Sequence, residues 1–147
     1  MTSADCVLCG VVTGALPASV VWHDDVVVVC MDHEPVTRGH MLVVPRVHTA
    51  GLGDTPSTTL ARMAVVAQRM AGALRSSGLR CEGTTLYLAD GAAAFQEVFH
   101  VHLHVFARYR DDGFTLNARW VVQPRDELDA TAGLLRTALG GYRSLPE

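Results

Sequence analysis

The stretch 99-FHVHLHVF-106 alternates histidine with apolar residues, so His100, His102 and His104 occupy every second position. In an extended strand, alternate side chains point to opposite faces of the sheet. The pattern predicts a β-strand with one apolar face and one face that carries three imidazoles. Because imidazole acts as nucleophile, acid, base or metal ligand near neutral pH, the same strand predicts a functional site.

Four other segments have the composition of strands. The valine-rich runs Ser19–His23 and Asp25–Met31, followed by His40–Pro45, predict a meander, because β-branched residues favour strands. Thr84–Ala89 predicts a fourth strand, which makes the histidine segment the fifth.

Two segments have helical patterns. Thr55 as the cap and Pro56 as the first helical residue predict a helix whose apolar residues recur at helical spacing until Gly78. The segment Asp126–Leu139, followed by Gly140-Gly141, predicts a C-terminal helix. The predicted fold is therefore α+β, with an antiparallel five-stranded sheet and two main helices.

Length and composition indicate one domain over residues 1–147, since 49% of the residues are hydrophobic and can form one core. The formal charge of −3 gives no general electrostatic reason to bind nucleic acid or an acidic membrane. The apolar runs are too short to cross a bilayer, and the first residues do not resemble a signal peptide. We therefore expect a cytoplasmic protein with neither nucleic-acid nor membrane partners.

Cys6 and Cys9 form a CxxC pair, which supplies half of a tetrahedral zinc site. His48 and one triad histidine, with His100 favoured by its place at the strand entry, are candidates for the other two ligands. The predicted zinc is structural, and unliganded thiols are the alternative. For the three histidines, the main rival to a catalytic site is a metal site formed by the triad itself.

The segment His100–Phe106 resembles the HxHxHxx signature of the histidine triad (HIT) superfamily, specifically the branch of bacterial HIT proteins and fragile histidine triad hydrolases. Further landmarks of the family follow the expected order, and together they cover most of residues 4–115. These landmarks are Cys6-Val-Leu-Cys9, Met31-Asp32 with Pro35, Gly39-His40, Leu42-Val43-Val44-Pro45, His48, and Asp90-Gly91 through Gln96. The resemblance implies a single HIT domain with its motif-bearing core at about residues 4–115, a C-terminal helix at about 126–140, and a homodimer.

The resemblance also implies roles for individual residues. His102 would be the nucleophile that attacks the α-phosphorus of a nucleotide. His104 would contact the α-phosphate or bridging oxygen and help the leaving group take a proton. His40 and the backbone nearby would hold the catalytic imidazole in its tautomer. Asp32 would bind the ribose hydroxyls, and Gln96 would lie near the phosphate. The implied zinc ligands are Cys6, Cys9, His48 and His100, and the candidates for the wall of the base pocket are Val20, Trp22, Met31 and Leu42.

The implied activity is that of a nucleotide-binding hydrolase or nucleotidyl transferase that acts at the α-phosphate through a covalent nucleotidyl-histidine. Its substrate would be a dinucleoside polyphosphate or an adenosine phosphoramidate-type nucleotide. The alternative is a nucleotide-binding regulatory module with negligible turnover, in which the triad holds phosphate but two departures from the family pattern prevent the attack. Phe95 replaces a glycine of many relatives, and Glu97 replaces a serine or threonine that touches phosphate.

Overall fold

The computed structural model describes residues 5–140, and residues 1–4 and 141–147 lie outside the described part. The chain falls into two compact units, of which the first ends at Phe114 and the second begins at Thr115. The single domain over residues 1–147 stays a prediction. Gly141, named above at the predicted end of the C-terminal helix, is one of the residues outside the description.

The first unit contains a five-stranded antiparallel sheet. In chain order its strands are β1 (Val20–His23), β2 (Val27–Met31), β3 (Met41–Pro45), β4 (Gly83–Tyr87) and β5 (Leu103–Arg108). Their order in the sheet is β1-β2-β3-β5-β4, and all neighbours are antiparallel. The predicted meander and the predicted α+β fold are confirmed. Because β5 lies between β3 and β4, residues of both neighbouring strands flank its histidine, His104.

Helix α2 (Ser57–Ser76) covers one face of this sheet. Its buried residues recur at helical spacing, as predicted, and pack against apolar residues of β2, β3 and β5. They are Met63, Val66, Ala67, Met70, Ala71 and Leu74.

The start of α2 differs from the prediction by one residue. Pro56 is the N-cap, and Thr55 lies before it. The Thr55 hydroxyl donates to the carbonyl of Gly51 at 2.9 Å and contacts the Thr49 hydroxyl at 2.7 Å, so it is not free to cap the helix.

The opposite face of the sheet carries a third helix that the sequence pattern did not indicate. Along β3, Met41 and Val43 belong to the core beneath α2, whereas Leu42 and Val44 belong to a second cluster. Helix α1 (Val7–Thr13) packs on this second cluster through Leu8. The two-residue period of β3 thus separates a face packed on α2 from a face packed on α1.

The histidine segment is only partly a strand, which corrects the prediction. Strand β5 begins at Leu103, so His100 and His102 precede it. The Val101 N–H donates to the carbonyl of Thr49 at 2.8 Å, outside the β3 ladder. The first two histidines therefore lie at the strand entry.

The second unit contains helix α3 (Arg125–Ala138), within one residue of its predicted bounds. None of its residues is buried. Within residues 5–140, no helix combines the length and hydropathy required to traverse a bilayer.

Candidate active site and metal centre

Three imidazoles form a contact chain on the sheet face opposite α2. His104 Nδ1 lies 2.9 Å from His40 Nε2, and the rings of His102 and His104 have centroids 4.7 Å apart. His102 Nδ1 lies 2.7 Å from the carbonyl oxygen of His100. The structure thus brings together the three predicted catalytic residues.

Hydrogen-bond donors and acceptors assign the tautomer of each ring. The Val36 N–H donates to His40 Nδ1 at 3.1 Å, so neutral His40 carries its proton on Nε2 and donates it to His104 Nδ1. His104 therefore carries its own proton on Nε2. A carbonyl oxygen only accepts, so His102 donates through Nδ1–H and keeps an unprotonated Nε2.

This geometry corrects one predicted role. His40 contacts His104, and the imidazole that it orients is therefore that of His104. His102 is instead oriented by the backbone of His100. Sequence reasoning placed His40 in the site but did not indicate its partner, because that partner is 64 residues away.

Burial keeps two of these imidazoles neutral. Desolvation, and then the charges of His102 and His40, lower the pKa of His104 to about 4, although Asp32 opposes the shift. Burial also lowers the pKa of His40, with Asp32 again opposing. At neutral pH both side chains are therefore uncharged, as the donor order above requires.

Asp32 lies beside this chain of imidazoles, directly after β2. Its Oδ2 is 3.5 Å from His40 Nε2 and 3.8 Å from His104 Nδ1, and its Oδ1 accepts the Glu34 N–H at 2.9 Å. The carboxylate supplies the negative charge of the site. Its predicted contact with ribose stays a prediction.

Gln96 is buried, and its amide is hydrogen-bonded to backbone groups. Its Oε1 accepts the Gly91 N–H at 2.8 Å, and its Nε2 donates to the carbonyls of Ala50 at 2.7 Å and Val98 at 3.2 Å. In this arrangement the side chain shapes the loop before the triad. The phosphate contact predicted for Gln96 stays a prediction.

The two departures from the family pattern lie on either side of Gln96, and both side chains are exposed. The ring of Phe95 is 84% exposed. The charges that act on His104 belong to His102, His40 and Asp32. Glu97 therefore does not belong to the groups that set the charge of the imidazole site.

The predicted wall of the base pocket is wrong for two of its four residues. Trp22 and Met31 pack against the core beneath α2, on the face away from the histidines. Trp22 lies under the guanidinium groups of Arg62 and Arg69 of that helix. The β2 residues on the histidine side are Val28 and Cys30, since they alternate with Val27, Val29 and Met31.

The four predicted zinc ligands lie together. The ligand atoms of Cys6, Cys9, His48 and His100 are all within 4.8 Å of one another. His100 Nδ1 is 3.5 Å from both sulfurs, and His48 Nδ1 is 3.2 Å from the sulfur of Cys9. A tetrahedral zinc ion, with bonds of about 2.3 Å to sulfur and about 2.0–2.1 Å to nitrogen, separates such atoms by about 3.5 Å. The geometry therefore fits zinc.

The protonation of the four candidate ligands also fits a zinc ion. The Nε2–H of His100 donates to the carbonyl of Pro45 at 2.9 Å, which leaves Nδ1 with a free lone pair directed at the sulfurs. Burial, and then the hydrogen bond and charge of Cys6, raise the pKa of the Cys9 thiol. The Cys9 thiol therefore resists ionisation without a cation, and a bound divalent ion would favour its thiolate form.

The histidines of the triad divide between two clusters. Within the described part of the chain, the potential metal-ligand groups are Cys6, Cys9, His48 and His100, and Asp32, His40 and His104. His102 belongs to neither. This division argues against a metal site formed by the three triad histidines together.

Three supporting groups were not predicted, namely the Val36 N–H, the Pro45 carbonyl and the Tyr87 ring. The Tyr87 ring lies 5.7 Å from that of His104 across the β4–β5 pair. The first two are backbone groups, which no side-chain pattern reveals. For Tyr87, the alternation of side chains along β4 is the one sequence feature that could have indicated which face of the sheet it occupies.

Comparison with known proteins identifies the family. The HIT domain family matches residues 13–111. The chain belongs to the HIT family. The HIT chain is 40% identical over 134 residues to an uncharacterized HIT-like protein of Mycobacterium tuberculosis, covering 91% of this chain and 92% of that protein.

Two further relatives have informative descriptions. A Zn-bound histidine triad family protein from Mycobacterium smegmatis has a crystal structure with a TM-score of 0.74 and 42% identity, over 93% of this HIT chain and 99% of that one. An adenylylsulfatase of Arabidopsis thaliana is 31% identical over 109 residues, which cover 74% of this chain and 54% of that protein. HIT proteins are, at the family level, nucleotide-binding hydrolases and transferases.

Proposed function

We propose that this HIT protein cleaves the bond between the α-phosphorus of a nucleotide and its leaving group through a covalent nucleotidyl-His102 intermediate. The observation that carries the proposal is the hydrogen-bond order of the imidazoles. It gives His102 an unprotonated Nε2 and His104 a protonated one. A nucleophile and a proton donor are thus provided by neighbouring rings.

In the first step, the lone pair of His102 Nε2 forms a bond to the α-phosphorus. The bond from phosphorus to the leaving nitrogen or oxygen breaks, and its electron pair departs with that atom. The Nε2–H of His104 supplies the proton that neutralises the leaving group, and the ring keeps the electron pair of that N–H bond. The negative charge left on His104 faces the positive charge on His102 and is stabilised by the hydrogen bond from His40 Nε2 until the second step. The Nδ1–H bond from His102 to the His100 carbonyl stabilises the positive charge that develops on the attacking ring.

In the second step, a water molecule attacks the phosphorus and gives a proton to His104 Nε2. The bond between phosphorus and His102 breaks, which returns its electron pair to the imidazole and releases the nucleoside monophosphate. An alcohol or amine in place of water would give transfer instead of hydrolysis. His104 loses its Nε2 proton in the first step and regains it in the second, so the complete cycle returns both histidines to their starting tautomers.

The remaining site residues are assigned to binding. Asp32 would accept hydrogen bonds from the ribose, and Gln96 would keep the loop before the triad in position for the phosphate. The leading substrates are dinucleoside polyphosphates and adenosine phosphoramidate-type nucleotides. The name of the Arabidopsis relative, an adenylylsulfatase, supports an adenylyl group as the transferred part.

We assign a structural zinc ion to Cys6, Cys9, His48 and His100, with the Zn-bound mycobacterial relative as support. When bound, zinc would join the N-terminal helix to the segment that precedes β5. It would supply stability and no step of the reaction.

The decisive experiment is intact-protein mass spectrometry after brief incubation and a mildly alkaline quench. The panel contains adenine and guanine dinucleoside polyphosphates and phosphoramidates. His102→Ala should abolish both the adduct and turnover, because it removes the attacking nitrogen. His23→Ala, which removes an exposed histidine outside the site, is the matched control and should behave like the wild type.

A nucleoside monophosphate adduct on the wild type and the His23 variant, but not on the His102 variant, would establish the intermediate and identify the nucleoside. If the wild type forms no adduct and turns over no substrate in the panel, the proposed hydrolase is wrong. Nucleotide binding without turnover would then favour the regulatory module.

A further inference from the structure

The loop before the triad presents one aromatic ring on an unusual backbone. A short 3-10 helix, Ala92–Ala94, is followed by Phe95 with φ of 67°. Within residues 5–140, the only other non-glycine residue with positive φ is Asp111. For a bulky side chain this left-handed conformation is an outlier. Strained residues of this kind persist where the surrounding structure fixes them, and they concentrate at binding sites.

The strain is fixed by contacts on both sides of Phe95. The Tyr87 hydroxyl donates to the carbonyl of Ala94 at 2.6 Å. On the other side, the buried amide of Gln96 ties the loop to Gly91 and Ala50. These contacts hold the backbone, whereas Phe95 is 84% exposed. In the described part of the chain its ring makes no aromatic or cation–π contact.

The sheet order places this loop on one flank of the imidazole site. Tyr87 of β4 pairs with His104 of β5, and its ring packs against that imidazole. Asp32 and His40 approach His104 from the other flank, where β3 and β2 lie. A nucleoside whose ribose binds Asp32 therefore occupies the β2–β3 side. The group that leaves the α-phosphorus then departs toward β4 and the Phe95 loop.

We propose that Phe95 is a specificity-determining residue that stacks against an aromatic ring in the leaving group. The inference rests on the proposed function, because it takes the positions of the ribose and the α-phosphorus from that site. Stacking would cover a ring that is otherwise exposed to water. Because hydrogen bonds already hold the loop, little conformational entropy of its backbone is lost when the substrate binds.

The test uses two adenosine 5′-phosphoramidates that differ only in the leaving amine, phenethylamine or cyclohexylethylamine. The amines are similar in size and hydrophobicity, but only one is aromatic. We expect Phe95→Leu to lower kcat/KM for the phenethyl substrate by about 5- to 100-fold. The cyclohexyl substrate should change less than about twofold, and Phe95→Tyr should restore the preference.

Phe99→Leu is the matched control, since Phe99 is a second exposed aromatic residue in the same segment and has no assigned role. It should leave the ratio of the two substrates unchanged. Sedimentation of each variant shows whether Phe95 acts through assembly instead.

Equal loss on both substrates, no loss on either, or a changed ratio only in variants that also change oligomeric state would overturn the inference while the proposed function stands. If the wild type releases neither amine and forms no adduct on His102, the proposed function fails and the inference fails with it.

Discussion

At the residue scale, the protonation state of His104 is a consequence of its burial. The pKa falls to about 4 because the ring is desolvated, and because His102 and His40 add unfavourable positive charge. Neutral His104 can accept from His40 at Nδ1 and still present Nε2–H to a substrate. The proposed acid is therefore a neutral imidazole with a fixed tautomer.

This shift predicts a loss of stability in acid. His104 has an ordinary pKa of 6.5 when unfolded and about 4 when folded, so between these values the unfolded chain binds more protons. The free energy of unfolding therefore falls as pH drops from about 6.5 to about 4, by about 3 kcal/mol from this residue, and is unaffected by it above that range. Urea unfolding at about pH 7 and about pH 4.5 measures the effect.

His104→Gln is the comparison variant, since its amide oxygen can still accept from His40. Its loss of stability between the two pH values should be about 2–3 kcal/mol smaller than that of the wild type. Equal losses in both proteins would show that His104 does not carry the effect.

The strained backbone of Phe95 predicts that Phe95→Gly stabilises the fold. Glycine adopts positive φ without the clash of a β-carbon, and little packing is lost because the ring is exposed. We expect a gain of about 0.5–1 kcal/mol in the free energy of unfolding, measured by urea titration. Phe95→Ala removes the ring but keeps the β-carbon, so the gain should be absent there. An equal gain in the free energy of unfolding in both variants would show that loss of the exposed ring, and not relief of backbone strain, stabilises the fold.

At the element scale, the proposed zinc ion would hold α1 in place. The helix has seven residues, only Leu8 among them is buried, and it follows directly after Cys6. So short a helix is not stable alone in water. His48 lies between β3 and α2, and His100 precedes β5. Through the metal, these two ligands would hold α1 against the sheet.

Removal of the metal should accordingly destabilise the protein. A strong chelator or Cys9→Ser should lower the Tm by about 10 °C or more, because metal binding is coupled to folding. Cys81→Ser is the matched control, since Cys81 lies outside the cluster and a serine hydroxyl can replace its donor to the Gly83 carbonyl. Metal analysis should give one zinc per chain in the control. An unchanged Tm after chelation would contradict the proposal of a structural zinc ion.

The elements also show how much a sequence pattern can predict. The five strands and helices α2 and α3 follow from composition and period, since each buries a periodic face or lies between clear turn signals. Helix α1 has too few turns to show a period. The start of β5 at Leu103 depends on where Val101 finds a backbone partner, which is a long-range contact with Thr49.

In the site, too, local sequence patterns indicated some features, whereas others depend on contacts between distant residues. Residue types and family landmarks indicated the four candidate metal ligands, and also Asp32, His40 and His104, and the structure brings these two sets into two clusters. They did not indicate that His40 contacts His104, or that Trp22 and Met31 face α2. Those facts depend on register and on the bulge between Val20 and Trp22 in β1.

At the scale of the whole molecule, β4 forms one edge of the sheet and exposes Leu86 and Tyr87. An open edge with apolar side chains favours pairing with a second chain, in agreement with the predicted homodimer. Sedimentation should give about twice the chain mass of 15.8 kDa. Leu86→Lys should weaken the dimer, whereas the exposed Leu134→Lys on α3 should not. A wild type that sediments as a monomer at every concentration would contradict the prediction.

His100 connects the candidate metal centre to the proposed nucleophile, His102. Its ring faces the cysteines, and its backbone carbonyl holds the Nδ1–H of His102. Side-chain substitution can remove the first function but not the second, because the carbonyl is common to all residues. The catalytic half of the site therefore cannot be transplanted to another scaffold as a set of side chains alone. A designer who borrows His102 must also reproduce the anchored peptide before it.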